Sequence, residues 1–325
     1  MKFGKLLAGL ALALGATAGG GAAQAADVTL RVGTFLPTQG VWHEPLAHFI
    51  ETANDNDVGV TLEIVADPSA VSPFQLGEAV SSGVIDVAYM SGAFYTTLVP
   101  EADALKLLNV PVAELRENGA MDLIDEVHRQ KMGTHFLGKL GDEIDYYIYT
   151  GVKIDEPDFS GLDVRGQPAY RPFLEALGAN VVQMPGSEIY SAMESGVVDG
   201  YAWPLWGIQD LGLLEVTKFR IEPGFYNSEI AVLVNEDAWS GLDDAQRSVV
   251  TQAMIETEQW FIDYRNRVDA QQRSVQADAG IETITFSEEE GRAFRKTAND
   301  AAWTVIEERT PDFAAAVKPL GFRAD

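Results

Sequence analysis

Arg165 carries the most suggestive chemistry in this chain, and it precedes a turn that contains Trp203 and Trp206. A guanidinium group stays charged at any physiological pH and offers a planar fork of donors that matches a carboxylate. An arginine with aromatic side chains nearby is consistent with a site for a small organic acid. The commoner role of an arginine is a surface or interlobe salt bridge, so the residues alone leave both interpretations open.

No recognisable catalytic motif accompanies this arginine. The four histidines form no HExxH or related metal-binding pattern, and the chain has no GxSxG, P-loop or GxGxxG motif. The chain also has no cysteine, which excludes thiol chemistry and disulfide bonds. These absences favour a binding protein over an enzyme. A secreted hydrolase with an unfamiliar site is the alternative.

A short unit that occurs twice predicts how the elements are arranged. Apolar residues at helical spacing lead into Gly83–Asp86 in the first copy and into Gly196–Asp199 in the second. A helix that ends at a glycine and is followed by a strand explains both copies. We therefore expect strands at Val84–Met90 and Val197–Ala202, in two similar lobes. The repeated aspartate predicts a structural role at a turn or strand end.

The first 25 residues predict secretion. Lys2 and Lys5 form a positive start, Leu6–Leu14 is apolar, and residues 23–25 fit a small-residue cleavage site. The apolar run is too short to span a bilayer, and the pattern is typical of a signal peptide. We expect residues 1–25 to be removed and the mature protein to work in the periplasm.

Length and charge narrow the class of protein further. Removing 25 of the 325 residues leaves about 300, enough for two ordinary domains. The formal net charge of −26 argues against nucleic acid or anionic lipid as a partner. It does not require a cationic ligand, because a negative surface can surround one local positive site.

Alternating strands and helices predict an α/β fold with mainly parallel sheets. Tyr146–Tyr149 and Glu229–Val234 are apolar, β-prone runs between the two expected lobes, and either is a candidate for a strand that crosses between them. Asp243–Ala279 predicts one very long helix that Asp243 caps and Gly280 ends. Two shorter helices joined by a kink are the alternative.

Several segments, taken in order, resemble the substrate-binding proteins of tripartite ATP-independent periplasmic (TRAP) transporters, the DctP family. The likeness covers essentially the whole mature chain and depends on the order and spacing of the segments. They are Gly83–Asp86, Leu108–Pro111, Asp158–Arg165, Pro185–Gly200, Thr217–Phe219, Val234–Asn235 and Trp239.

The resemblance implies a two-lobed, type II-like periplasmic-binding-protein fold with crossing hinge strands and a long bracing helix. It places residues 26–147 and 232–272 in the first lobe and residues 148–231 and 273–325 in the second. Such a protein closes on a ligand in the cleft and, as a monomer, delivers it to the membrane subunits of a transporter. A ligand-sensing subunit of a signalling system would share this binding chemistry.

The residues at positions that bind the ligand in this family also narrow the range of expected ligands. Arg165 matches the arginine that pairs with the ligand carboxylate in this family. Tyr147 and Trp203 stand where sialic-acid-binding members have an arginine and an asparagine, which argues against a polyhydroxylated sugar acid. Ala202 stands where members that bind 2-oxo acids have a glutamate that helps hold a metal ion, so no metal or other cofactor is expected.

The expected ligand is therefore a small monocarboxylate with an apolar or aromatic body, and an amino acid zwitterion stays as an alternative. Aromatic side chains occur in ordinary cores as often as in ligand pockets, so most of the wall residues are candidates by type alone. The residues expected to contact the ligand are Arg165, Trp203, Tyr147, Trp42, Phe94, Tyr170, Trp206 and Phe225.

Overall fold

Short strands separated by amphipathic helices form two β-sheets in a computed structural model that describes residues 27–324. The predicted signal peptide, residues 1–25, lies outside the described residues. The strands are β1 Val28–Thr34, β2 Val60–Ala66, β3 Val87–Met90, β4 Thr134–Leu140, β5 Asp145–Thr150, β6 Asp163–Arg165, β7 Asn180–Val182, β8 Gly200–Pro204, β9 Phe219–Asn227, β10 Ile230–Asn235 and β11 Glu282–Thr285.

Helices connect these strands and cover the sheets. The chain also makes several short 3₁₀ turns, of which Pro100–Leu107 is the longest. The α-helices are α1 His43–Asn54, α2 Pro73–Ser81, α3 Val112–Glu117, α4 Ala120–Met132, α5 Arg171–Ala176, α6 Ile189–Glu194, α7 Glu236–Gly241, α8 Asp244–Asp278, α9 Glu288–Arg309 and α10 Pro311–Gly321.

Each sheet forms the centre of one lobe. The first lobe has the strand order β2-β1-β3-β10-β4, and the second has β11-β9-β5-β8-β6-β7. Two loops cross between the lobes, from β4 to β5 and from β9 to β10, and α8 leads from β10 in the first lobe to β11 in the second. The two crossings touch: a Cβ on Gly141 would lie 2.5 Å from the Ser228 carbonyl oxygen. This α/β architecture with two crossing connections confirms the expected fold class.

The boundaries of the lobes differ from the expected ones. All of β5 pairs within the second sheet, so the first crossing lies between Leu140 and Asp145, a few residues before the expected position at 147/148. All of β10 pairs in the first sheet, so the second crossing precedes Ile230. The last helix, α10, packs on the first lobe, where Asn118 Nδ2 donates to the Leu320 carbonyl at 2.9 Å.

The repeated unit has the same backbone geometry in both lobes. Gly83 and Gly196 adopt the left-handed conformation, with φ of 71° and 72°. The two valines after them are more than half exposed, at 61% for Val84 and 54% for Val197. The strands therefore begin later than expected, at Val87 and Gly200, because the residues after each glycine form a turn.

The repeated aspartates hold these turns to the neighbouring strand. Asp86 accepts a hydrogen bond from the Arg31 backbone N–H at 2.8 Å, and Asp199 accepts one from the Asp163 backbone N–H at 2.9 Å. Each carboxylate thus satisfies a backbone donor on the adjacent strand. The structural role predicted from the repeat is the role that both aspartates have.

α8 is one continuous helix of 35 residues that spans both lobes. Asp243 and Gln246 form the capping box at its start. Its first half packs on α1 in the first lobe. Its second half reaches the second lobe, where Gln276 Nε2 donates to the Leu205 carbonyl at 2.8 Å. No helix within residues 27–324 is long and apolar enough to cross a membrane.

Candidate functional site

A cavity of about 720 Å³ lies between the lobes, at the carboxyl ends of strands from both sheets. Loops after β1 and β3 line it from the first lobe, and loops after β6, β7 and β8 line it from the second. Ligands of open α/β sheets bind at this end of the strands, because the connecting loops and unpaired backbone groups converge there. The crossing segment at Ser228–Ile230 closes one side.

Arg165 lines this cavity at the end of β6, where it is only 2% exposed. Its Nε and Nη2 donate to the Met184 carbonyl at 3.2 and 3.0 Å, and its Nη1 donates to the Ala202 carbonyl at 3.4 Å. A guanidinium has five N–H donors, so these three bonds leave one donor on each terminal nitrogen.

Only neutral groups hold Arg165 in place. No carboxylate within the described residues forms an ion pair with it, although the chain is strongly acidic. Burial lowers the pKa of Arg165, and the nearby phenols of Tyr170 and Tyr146 act in the opposite direction. A buried charge without a counterion is costly, and an anion entering the cavity would remove that cost.

Trp203 covers one face of Arg165. The guanidinium carbon lies 5.3 Å from the centre of the indole ring. The Trp203 Nε1 donates to the Trp206 carbonyl at 3.1 Å, which holds the ring in place. A Cβ on Gly186 would lie 2.9 Å from Trp203 Cη2, so the loop after β7 reaches the ring only because residue 186 is glycine.

A group of phenylalanines forms the opposite wall, in the first lobe. Phe94 lies between Phe35 and Phe74, with ring centroids 5.6 and 5.1 Å apart respectively. All three line the cavity, and Phe74 is 48% exposed. An exposed aromatic ring at the mouth of an apolar wall offers a surface for the body of a ligand.

Two tyrosines and a glutamate complete the floor of the cavity. Tyr146 and Tyr170 pack with ring centroids 4.8 Å apart, and both line the cavity. Glu229 is 4% exposed, and its two oxygens accept hydrogen bonds from Ser91 Oγ at 2.6 Å and from the Gly92 N–H at 2.8 Å. Burial raises its pKa to about 7, although these bonds and the more distant Lys139 and Lys106 oppose the change.

Five of the eight residues expected to contact the ligand line the cavity: Arg165, Trp203, Trp42, Phe94 and Tyr170. The other three, Tyr147, Trp206 and Phe225, lie elsewhere. Tyr147 points towards α8, where its hydroxyl oxygen accepts a hydrogen bond from Arg273 Nη2 at 2.8 Å. Trp206 is fully buried and donates to Asp269, and Phe225 packs 4.7 Å from Phe173 in the second lobe.

Several residues that line the cavity were not predicted from the sequence. Tyr146 adjoins Tyr147, and neighbouring residues in a strand face opposite sides. Glu229 begins an otherwise apolar run, so its charge could have identified it as a candidate site residue. Gln167 lines the cavity, and its Oε1 is buried with no hydrogen-bond partner in residues 27–324. Nothing in the sequence around Gln167 indicated that this residue lines the cavity.

In the described part of the chain, no three His, Cys, Asp or Glu side chains come together in a group able to hold a metal ion. The charged groups that line the cavity are instead the buried Arg165 and Glu229 and the more exposed Asp210, together with several neutral donors and acceptors. This arrangement can orient a small polar ligand through its charge.

A model of the family described as bacterial extracellular solute-binding protein, family 7 (DctP), matches residues 32–309. A solute-binding protein of Roseobacter denitrificans is 24% identical over 302 residues, 88% of this chain and 90% of that protein. Its crystal structure, with bound L-galactonate, superposes with a TM-score of 0.76 at 21% identity and covers 90% of this chain and 98% of that one.

Two further proteins extend the comparison. The monocarboxylate 2-oxoacid-binding periplasmic protein of Nostoc is 24% identical over 252 residues, 71% of this chain and 68% of that protein. A TRAP periplasmic solute-binding protein of Desulfovibrio salexigens, with bound orotic acid, has a TM-score of 0.78 at 19% identity and covers 90% of this chain and 96% of that one. Because the family model spans most of its length, the chain belongs to the DctP family of TRAP transporter solute-binding proteins, which bind their solutes without converting them.

Proposed function

We propose that this protein captures a small monocarboxylate with an apolar or aromatic body between its lobes and passes it, in the periplasm, to the membrane subunits of a TRAP transporter. The observation that carries the proposal is Arg165, buried at the cavity wall with only carbonyl partners. A ligand carboxylate would supply the missing counterion and take the donors that remain on the terminal nitrogens.

The side chains that line the cavity around Arg165 favour a ligand whose body is apolar. Trp203 lies over the guanidinium, and the first lobe presents Phe35, Phe74 and Phe94. A sugar acid such as the L-galactonate of the Roseobacter protein carries many hydroxyl groups, and each needs a polar partner when it is buried. The aromatic walls offer few such partners. The orotic acid of the Desulfovibrio protein, a planar cyclic monocarboxylic acid, is the closer chemical match.

A thermal-shift screen of carboxylic acids, followed by calorimetry on the strongest hits, tests this function. A ligand at about 100 times its dissociation constant should stabilise the protein by roughly 2.7 kcal/mol. We expect monocarboxylates with apolar or aromatic bodies to give the largest shifts, and Arg165→Ala to abolish them.

Arg171→Ala is the matched control, because Arg171 lies on the outside of the second lobe and pairs with Glu175. This variant should keep the full shift. If Arg165→Ala bound the best hit as tightly as Arg171→Ala, the carboxylate assignment would be wrong. If hydroxyl-rich sugar acids gave the largest shifts, the apolar body would be wrong.

A further inference from the structure

The cavity contains a second buried charge that carboxylate capture leaves unused. Glu229 is the first residue after the Ser228 crossing position, at the edge of the first lobe, and it lines the same cavity as Arg165. At 4% exposure it is almost as buried as the arginine. Both of its oxygens accept hydrogen bonds from Ser91 and Gly92, which fix the carboxylate in one orientation.

No cation in the described residues lies close enough to form an ion pair with Glu229. The two nearest lysines already have acidic partners: Lys106 pairs with Asp103 and Lys139 pairs with Asp142. The two donors on Glu229 are a hydroxyl and a backbone N–H, which carry no charge. A desolvated carboxylate held only by neutral donors retains an attraction for a cation.

Glu229 and Arg165 do not neutralise each other, since no ion pair joins them. Tyr146 and Tyr170, whose ring centroids lie 4.8 Å apart, line the same cavity, and the pKa of each phenol responds to both Glu229 and Arg165. The cavity therefore has a buried positive pole at Arg165 in the second lobe and a buried negative pole at Glu229 near the crossing.

We propose that the ligand is bipolar, with a carboxylate that pairs with Arg165 and a protonated nitrogen that pairs with Glu229. This inference rests on the proposed function and narrows its substrate class to compact zwitterions. A ligand that bridges both poles would satisfy both buried charges at once, and it would link the second lobe to the crossing segment. A ligand that carries only a carboxylate would leave the negative pole without a counterion.

The surroundings of Glu229 predict how this preference depends on pH. The titratable groups that face it are Lys106 from the 3₁₀ turn, Lys139 from β4, and the phenols of Tyr95, Tyr146 and Tyr170. Because its pKa is raised to about 7, the carboxyl is partly protonated at neutral pH. A cationic nitrogen must displace that proton, so the affinity for zwitterions should fall by up to about tenfold from pH 8 to pH 6.

Calorimetry with matched straight-chain acids tests the proposal. The probes are 4-aminobutanoate, 5-aminopentanoate and 6-aminohexanoate, each paired with the parent acid that lacks the amino group and with the dicarboxylate of equal length. At pH 8 we expect the best amino acid to bind about tenfold more tightly than its parent acid and its dicarboxylate. Glu229→Gln should reduce this preference to less than about threefold.

Glu175→Gln is the control, because Glu175 is an exposed acid outside the cavity, and it should keep the full preference. The proposal is overturned if parent acids or dicarboxylates bind best, if no amino acid binds, or if Glu229→Gln keeps the preference. These failures differ from failure of the proposed function, which would appear as acid binding that survives Arg165→Ala. A preference for dicarboxylates that grows at low pH would indicate that protonated Glu229 donates to the ligand instead.

Discussion

Arg165, the proposed partner of the ligand carboxylate, is held in place by neutral groups alone. The carbonyl groups of Met184, in the loop after β7, and of Ala202, in β8, hold its guanidinium, so its position is fixed while its charge stays uncompensated. Truncating one partner of a buried, hydrogen-bonded charge pair costs about 2–5 kcal/mol of binding free energy. The planar shape of the guanidinium matters as well as its charge, because two parallel N–H donors can form hydrogen bonds with both oxygens of a carboxylate.

Arg165→Lys separates these two contributions. Lysine keeps the positive charge but places a single ammonium where a fork of donors is needed. We expect affinity for the best acid to fall about 10- to 100-fold, with less loss than in Arg165→Ala. Isothermal titration calorimetry on the three proteins checks this order. Equal affinity of the lysine variant and the wild type would mean that charge alone suffices.

Glu229 should make the stability of the protein depend on pH. Its folded pKa, about 7, lies above its unfolded value, so its contribution to stability is complete below the unfolded pKa and is lost as the pH rises through 7. Glu229→Gln cannot titrate. We therefore expect its unfolding free energy, relative to wild type, to rise from about pH 5 to about pH 8.

Urea unfolding of both proteins at the two pH values measures this change. Taking the difference between them removes the contribution of His128, whose pKa burial lowers to about 4 and which acts in the opposite direction. A difference in stability that stays constant with pH would contradict the raised pKa of Glu229.

At the residue scale, the sequence predicted side-chain types better than side-chain directions. Arg165 and Trp203 were expected at the site, and both line the cavity. Tyr147 was expected there, but its neighbour Tyr146 faces the cavity instead, because a shift of one residue reverses the face of a strand. Glu229 was read only as the start of an apolar run, since its burial depends on the crossing geometry.

At the scale of elements, α8 depends on its first turn. Asp243 accepts a hydrogen bond from the Gln246 backbone N–H at 2.8 Å, and the Gln246 side chain accepts one from the Asp243 N–H in return. Asp243→Ala should destabilise the protein by about 1 kcal/mol in urea unfolding, without changing ligand affinity.

Asp244→Ala is the control for this cap, because the Asp244 side chain is fully exposed and should contribute little. Equal destabilisation by both substitutions would show that the general charge of the first turn matters and the cap does not. A loss of ligand affinity in Asp243→Ala would instead mean that the helix start controls the position of the lobes.

The ends of helices and strands were predictable where a short sequence motif defines them. The capped start of α8 and its end at Gly280 follow from short motifs, and both agree with the structure. The strands after Gly83 and Gly196 begin three residues later than expected, because Val84 and Val197 lie in turns and face solvent. Propensity favours a strand for such valines, but the tertiary position of each turn overrides it.

At the scale of the whole molecule, the two lobes already touch along one edge of the cavity. Trp42 in the first lobe packs 4.7 Å from Trp206 in the second. Beside them, Gly40 adopts a φ of 89°, and a Cβ there would clash with Asp210 Oδ2 in the second lobe. A side chain at position 40 would therefore strain the backbone and displace the Asp210 carboxylate where the two lobes meet.

Gly40→Ala should hold the lobes apart at this edge. We expect affinity to fall about tenfold and the radius of gyration measured with saturating acid by X-ray scattering to exceed that of wild type. Gly161→Ala is the matched control: Gly161 also has a positive φ, of 83°, but a Cβ there would meet nothing within 4 Å. Equal affinity of the two variants would show that this contact is not part of the bound form.

The two-lobed architecture followed from the repeat and the strand–helix alternation, and the structure confirms it. The position of the last helix did not follow. α10 returns to the first lobe, where Ala314 and Val317 are buried, and nothing in its local sequence specifies which of two apolar surfaces it covers. Long-range packing of this kind depends on the whole chain, whereas caps and turns depend on a few residues.

The central claim is that a small acid binds between the lobes through its carboxylate and Arg165. A crystal structure of the complex with the tightest-binding acid tests it most directly. We predict both carboxylate oxygens within about 2.7–2.9 Å of the Arg165 terminal nitrogens, with the body of the ligand between Trp203 and the phenylalanines of the first lobe. A ligand carboxylate held elsewhere, with Arg165 still bound only to carbonyl groups, would contradict it.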